Sequence, residues 1–198
     1  MKVYLVRHGE SVPREGLTPL QAREAALSVW GKAQARAAAR FLKGKHIESI
    51  ISSPYARAKE TAEFISLTCG VPLRLDERLC EWEPVHDLEG KAFAALVQSL
   101  RARETAARSV EETYEQALSR VGAVLDEQRK TNSQEAVCIV AHELILQNLL
   151  MGLTNERQSL ALASISCVEY AGGTWRLVFV NKKLQFFTRA LRRLRRYF

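Results

Sequence analysis

The 198-residue chain has no C-x-x-C pair, no internal repeat, no low-complexity linker and no apolar run near the ~18–20 residues that span a bilayer as a helix. Each absence removes a class of protein. The four cysteines, Cys69, Cys80, Cys138 and Cys167, lie far apart, with no His at zinc spacing. That argues for reduced thiols rather than a disulfide scaffold or a structural zinc, with Cys138 and Cys167, in apolar runs, expected in the core. Acidic residues are missing after Asn181, where Lys182, Lys183, Arg189, Arg192, Arg193, Arg195 and Arg196 carry the chain's entire net charge of +7. Residues 1–181 are therefore formally neutral, and the basic pI is no argument for nucleic acid as the partner of the main body. The N-terminal apolar run is too short for a signal peptide and is broken by Arg7 and His8, so a cytoplasmic location is expected.

What remains is ordinary for a globular domain: 47% hydrophobic and 26% charged residues, enough to build one buried core over residues 1–181. Val3-Tyr4-Leu5-Val6 reads as a buried strand and Gly31 to Leu42 as a helix of strong formers. Ser49 to Ser52 reads as a second strand. Pro54 suits the first turn of a helix running to about Leu67. Val71 to Leu75 is a weaker strand, and Lys91 to Lys130 is helical in composition with a break near Arg108-Ser109. Ala136 to Ala141 is the clearest buried strand, followed by a crossover helix from Leu144 to Met151. Strands near Ser164–Tyr170 and Trp175–Val180 flank Gly172-Gly173 as an antiparallel hairpin. Strands alternating with helices predict an α/β three-layer sandwich. Its sheet is mostly parallel and doubly wound, with helices on both faces and an antiparallel edge strand.

Three loops then fall at the carboxyl ends of predicted parallel strands, where open α/β sheets bind ligands. The first holds Arg7 and His8. The second, Ser52 to Ala62, puts Arg57 in the first turn of a helix, whose positive end favours an anion. The third places His142 and Glu143 behind the strongest strand. Two Arg and two His at one sheet edge suit a phosphoryl group, whose transfer depends on positioning and on stabilising equatorial charge. The imidazole can act as a covalent nucleophile, and its unperturbed pKa of about 6.5 leaves it neutral near pH 7. A proton donor for the leaving oxygen is offered by the cluster Asp76, Glu77, Glu81 and Glu83. His46 reads as a surface residue and His86 as a loop residue.

These residues carry a resemblance to the histidine phosphatase superfamily, the branch with cofactor-dependent phosphoglycerate mutases and acid-type phosphatases. Arg7-His8-Gly9-Glu10-Ser11 is similar to its R-H-G-E-S opening. Ser53-Pro54-Tyr55-Ala56-Arg57-Ala58 with Thr61-Ala62 is similar to its S-P-x-x-R-A-x-x-T-A segment. Leu79-Cys80-Glu81 resembles its L-x-E, Glu112-Thr113 eight residues before Arg120 a degenerate form of its G-E-S helix start, and Ala141-His142 its second His. The resemblance covers residues 1 to about 181. It implies that His8 is the phosphorylated nucleophile, that Arg7, Arg57 and His142 grip the phosphate with Gly9 beside them, and that Glu81 is the general acid and then the base for water. Glu83 and Glu77 are the alternatives for that last role. It further implies that one His8 tautomer is held by a backbone carbonyl, and that no metal or other cofactor is needed because Arg and His supply the positive charge. Glu10, Ser11, Arg14 and Glu143 are candidate substrate-loop residues.

The chain departs from the family's pattern at Glu143, where a Gly is usual, and at Arg14, where mutases typically carry an Asn. The mutases' arginine pair for a substrate carboxylate is not recognisable among Arg101, Arg103 and Arg108. The resemblance therefore implies a phosphatase that hydrolyses phosphomonoesters, on a small molecule or a phosphoprotein. Mutase-type transfer and a weakly active phospho-ligand-binding or regulatory protein are the alternatives. In the tail, 182–198, Phe187, Leu191, Leu194 and Phe198 form an amphipathic stripe among arginines. Two readings stand for it: a helix docked on the sheet, or one that meets an anionic surface.

Overall fold

The computed structural model describes residues 1–13, 16–82, 112–131 and 136–184. Outside that set lie Arg14, Glu83, His86, Arg101, Arg103 and Arg108, residues 91–111 of the segment predicted to be helical, and the stripe of the tail. In chain order the elements are β1 (Lys2–Arg7), α1 (Pro19–Arg23), α2 (Val29–Leu42), β2 (Ile47–Ser52), α3 (Ala56–Cys69) and β3 (Leu73–Leu75). A 3-10 turn (Glu77–Leu79) follows, then α4 (Tyr114–Thr131), β4 (Ala136–Ala141), α5 (Glu143–Thr154), β5 (Ile165–Ala171) and β6 (Thr174–Lys182).

One six-stranded sheet runs β3-β2-β4-β1-β5-β6. The four strands from β3 to β1 are mutually parallel, and β5 runs antiparallel to both β1 and β6, so the hairpin forms that edge. The sheet is mostly parallel, as expected, and the period of two along each strand sorts its residues between two layers. Val3, Leu5, Val137 and Ile139 face one cluster with Val121, Val124 and Leu125 of α4 and Ile145, Leu146 and Leu149 of α5. Tyr4, Val6, Cys138 and Val140 face the other, with Ala38, Ala39 and Leu42 of α2 and Ala58, Ala62 and Ile65 of α3. A strand buried on both faces needs a continuous apolar run, and β4 is buried at all six positions. Cys138 and Cys167 are buried in the second cluster, and among the described residues none of the four cysteines is in a disulfide. Among the described residues no helix is long and apolar enough to cross a membrane.

The helix after β2 starts later than the sequence suggests. Tyr55 is its N-cap and Ala56 its first residue, so Pro54 precedes the helix rather than opening its first turn. The cause is local: the Tyr55 amide donates to Ser53 Oγ at 3.3 Å, which closes a turn through Pro54 before the helix begins. Arg57 still falls in the first turn. The short helix α1 and the 3-10 turn carry no period long enough to read in advance.

Register fixes the site. β1 pairs with β4 from Lys2↔Ala136 to Arg7↔Ala141, and the His8 amide donates to Ala141 O at 3.0 Å. Ser53 N donates to Val140 O at 3.0 Å and Asp76 N to Ser52 O at 2.8 Å. The four parallel strands therefore end side by side, each delivering its loop to the same edge.

Candidate active site

Two groups that can each do only one thing determine the state of His8. Nδ1 lies 2.6 Å from Gly9 O, a pure acceptor, and Nε2 lies 3.1 Å from Arg57 Nε, a pure donor. His8 is therefore held as the neutral Nδ1–H tautomer with the Nε2 lone pair turned toward a guanidinium. Burial (5% exposed) keeps water from competing for either nitrogen. Arg57 is buried as well and spends a second arm on Ala22 O, at 3.1 Å.

His142 is fully buried at the N-cap of α5, with its Nε2 2.8 Å from Ser53 Oγ. Its ring sits 5.1 Å from that of His8, edge on, and 5.0 Å from Tyr55. Thr61 locks the first two loops together, since its hydroxyl donates to Arg57 O at 2.7 Å and accepts from Gly9 N at 3.1 Å.

The carboxylate cluster separates by burial and pairing. Asp76 is committed to Arg78, with a closest contact of 2.7 Å, and its hydrogen bonds to Arg78 hold its carboxyl below the usual range. Glu77 is exposed on the 3-10 turn. Glu81 sits over the N-terminus of α5, accepting from Ile145 N and Trp82 N at 3.0 Å each and from Leu144 N at 3.4 Å. Burial pushes its carboxyl up, against the pull of those three amides and of the Arg57 charge. The segment carrying Glu81 is braced from behind. Arg120 grips the Glu112 carboxylate and donates to Arg78 O and Cys80 O, while Trp82 Nε1 donates to Glu112 O at 3.0 Å. The spacing Glu112 to Arg120 is thus a two-turn clamp, a use the sequence reading did not assign.

The remaining candidates are placed as follows. Arg7 reaches Leu160 O and pairs with Glu143 at 2.8 Å, and Gln147 Nε2 steadies that carboxylate at 3.1 Å. Glu10 points to the start of α2 rather than into the pocket. Its carboxylate accepts from Ser28 Oγ at 2.7 Å, and Ser28 itself caps Gly31 N at 3.0 Å. Ser11 forms an isolated bridge with Leu27. Gly9 has its amide on Thr61 and its carbonyl on His8, so what it supplies is close packing. His46 is exposed on the turn before β2. Among the described residues no three His, Cys, Asp or Glu side chains gather as a metal would require.

The loop after β1 also packs against Gly31, which begins the predicted helix. A Cβ there would lie 1.9 Å from Glu10 O, and one on Gly9 would lie 2.7 Å from Gly31 O. Two glycines thus let α2 touch the loop that carries His8. Gly31→Ala should cost about 3 kcal/mol, the upper end for overpacking, and lower the melting temperature. Gly122→Ala, in the open interior of α4, should stabilise by about 0.4–1 kcal/mol. Thermal melts of both variants check the contrast in sign.

The Arg7–Glu143 contact yields a prediction of opposite direction to a loss of function. If Arg7 grips phosphate, a carboxylate on it opposes an incoming dianion, and a partly buried pair of this kind is worth about 1 kcal/mol. Glu143→Gln keeps the shape and removes the charge. Inorganic phosphate should inhibit that variant roughly 3–10-fold more tightly. Unchanged or weaker inhibition would mean that the pair orients Arg7 rather than competes for it.

Residues 3–183 match the profile of the Histidine phosphatase superfamily (branch 1). A probable phosphoglycerate mutase GpmB of Yersinia enterocolitica is 27% identical over 188 residues, covering 88% of this chain and 87% of that one. Among solved structures, a mycobacterial glucosyl-3-phosphoglycerate phosphatase complexed with VO3 superposes with a TM-score of 0.69 at 23% identity, over 91% of this chain and 99% of the other. A phosphoserine phosphatase mutant from Entamoeba histolytica in complex with phosphoserine gives 0.69 at 22% identity, over 94% and 99%. At such identities the two structures speak for the fold.

Proposed function

The chain belongs to the histidine phosphatase superfamily, branch 1, and we propose that within it this protein is a metal-independent phosphatase that hydrolyses phosphomonoesters through a phosphohistidine on His8. The observation that carries the reading is the fixed tautomer: Nδ1–H on Gly9 O and a lone pair on Nε2 beside Arg57.

In the first step His8 Nε2 attacks phosphorus and the bond from phosphorus to the ester oxygen breaks. Glu81, protonated, gives its proton to the departing oxygen, and the product alcohol leaves. Arg7, Arg57 and His142 hold the phosphoryl oxygens while charge spreads over them. In the second step a water attacks the phosphorus of phosphohistidine, ionised Glu81 takes the water's proton, and the N–P bond breaks. Phosphate is released, and His8 and Glu81 regain their starting states. The Gly9 carbonyl accepts from Nδ1–H throughout, so the ring cannot turn while Nε2 gains and loses phosphorus. A positive charge arises on the ring as Nε2 bonds to phosphorus, and the same carbonyl stabilises it.

Hydrolysis is favoured over mutase-type transfer by Arg14 in the position of the mutases' Asn, and by the lack of a recognisable arginine pair among Arg101, Arg103 and Arg108. The test is phosphate release from a panel of phosphorylated metabolites, nucleotides and phosphoproteins. Release of inorganic phosphate with single-turnover labelling of the protein is expected. Conversion of 3-phosphoglycerate to 2-phosphoglycerate without net release would make the protein a mutase. The Arg7–Glu143 pair favours a second reading, a phospho-ligand-binding protein with little turnover. Tight binding of phosphate with no release across the panel would select it.

A further inference from the structure

Within the proposed active site one cation is left over. Arg23, the last residue of α1, places its guanidinium carbon 5.4 Å from the centroid of the Tyr55 ring. Arg57 places its own 5.2 Å from the same ring, and that ring is 5.0 Å from His142. The chain end of α1 is held there by the Arg57 hydrogen bond to Ala22 O, the residue next to Arg23. Arg7 and Arg57 are both committed, to Glu143 and Leu160 O in one case and to His8 and Ala22 O in the other. Arg23 differs in pairing with no carboxylate among the described residues; its Nε is also a buried donor with no hydrogen-bond partner among them.

Buried donors in native proteins are satisfied in the great majority, because an unmade hydrogen bond inside a protein forfeits the one water would have made. A guanidinium stacked on an aromatic ring also has its plane set in advance, so its edge is presented to a ligand at low entropic cost. Phosphate is already provided for by Arg7, Arg57 and two histidines. A third arginine that shares the Tyr55 ring with Arg57 borders the phosphate-binding groups without being one of them. There it meets a different part of the substrate.

We propose that Arg23 is a specificity-determining residue that receives a second anionic group, a carboxylate or a second phosphate, on the phosphomonoester substrate. The proposal rests on the phosphatase reading of the site and narrows it to doubly anionic esters. Arg23 forms hydrogen bonds to that second group from its Nε and a terminal nitrogen, as a planar fork does with a carboxylate or phosphate. The aromatic face of Tyr55 holds the fork in plane.

The experiment uses the full chain and substrate pairs that differ by one anion. O-phosphoserine against O-phosphoethanolamine tests the carboxylate, and fructose 1,6-bisphosphate against fructose 6-phosphate tests the second phosphate. The preference for the doubly anionic member, as a ratio of kcat/KM, should fall by about 10- to 100-fold in Arg23→Gln, the range for a lost charge-assisted hydrogen bond. The loss should appear mainly in KM, and Arg23→Lys, which keeps charge without the fork, should recover part of it. Which pair shows the effect identifies the second anion. Calorimetric titration of the same ligands into His8→Ala and into His8→Ala with Arg23→Gln reads the preference without turnover. If the parent protein releases phosphate from no ester, yet the titrations keep their Arg23-dependent preference, the hydrolase reading fails and this one stands. If neither pair shows a preference that depends on Arg23 in either measurement, the proposal is overturned.

Discussion

His8→Ala should remove turnover altogether, with a loss in kcat of at least on the order of 10⁴, and with it the covalent label. Brief incubation of the unaltered protein with ³²P-labelled substrate should leave an acid-labile, base-stable adduct, the stability expected of a phosphoramidate. The variant should carry none. The expectation follows from the surroundings of the ring more than from the residue type. Gly9 O and Arg57 Nε leave it one available tautomer, and Ser53 and Thr61, on the neighbouring loop, use their hydroxyls in other contacts. Ser53 Oγ sits on His142 and accepts from Tyr55 N, and Thr61 Oγ1 bridges Arg57 O and Gly9 N. Thr61 has no base beside it, whereas Ser53 has His142 Nε2 at 2.8 Å, so an acid-stable, base-labile adduct would move the nucleophile to Ser53. Loss of the imidazole should also leave Arg57 held by Ala22 O, so phosphate binding should survive in His8→Ala when turnover does not. Undiminished hydrolysis by His8→Ala would sink the covalent mechanism, and an adduct on another residue would relocate it.

The parts of this site that could be read in advance are those in which one segment of chain carries its own meaning. Val3 to Val6 and Ala136 to Ala141 announce buried strands by composition, and a His leaving each strand must lie at the sheet's carboxyl edge whatever the rest of the chain does. Arg57 could be placed because it follows a strand end by five residues and opens a helix. What escaped depended on pairs far apart in sequence. Nothing in Gly31 alone says that the carbonyl of Glu10, twenty-one residues upstream, lies where a Cβ on it would go. The contact exists because α2 crosses the loop after β1 and the backbones meet there. Glu10 looked available to a substrate, and Ser28, the N-cap of α2, takes its carboxylate instead. Glu143 was noticed as a charge in the wrong place. That it closes on Arg7 follows from parallel pairing of β1 with β4, which sets the ends of both strands side by side. Arg23 lies in a stretch with no period to interpret, and the Tyr55 ring and the Arg57 bond to Ala22 O give it a position.

Glu81→Gln should slow hydrolysis of alkyl phosphates by about 10²–10⁴, the span of general acid–base catalysis, and slow p-nitrophenyl phosphate far less in its first step, because nitrophenolate leaves without a proton. The pH dependence has a defined sign. Burial raises the Glu81 carboxyl above its ordinary value, and the amides of Ile145, Trp82 and Leu144 with the Arg57 charge oppose that rise without cancelling it. The acid form therefore persists to higher pH than a solvated Glu would allow. On an alkyl phosphate the rate of the labelling step should fall as pH rises through that raised value, and the fall should be missing in Glu81→Gln. The same shift enters stability. A carboxyl whose folded pKa exceeds its unfolded one stabilises the fold most fully below the unfolded value, and the contribution is lost as pH climbs through the folded value. Gln cannot ionise, so Glu81→Gln should melt no lower than the parent above neutral pH, which separates lost catalysis from lost folding. Its amide oxygen can keep accepting from the start of α5, so the segment braced by Arg120 and Glu112 should stay in place. Equal losses on both substrates, with the alkaline limb intact, would take the proton from Glu81 and pass it to Glu83 or Glu77 of the same carboxylate cluster.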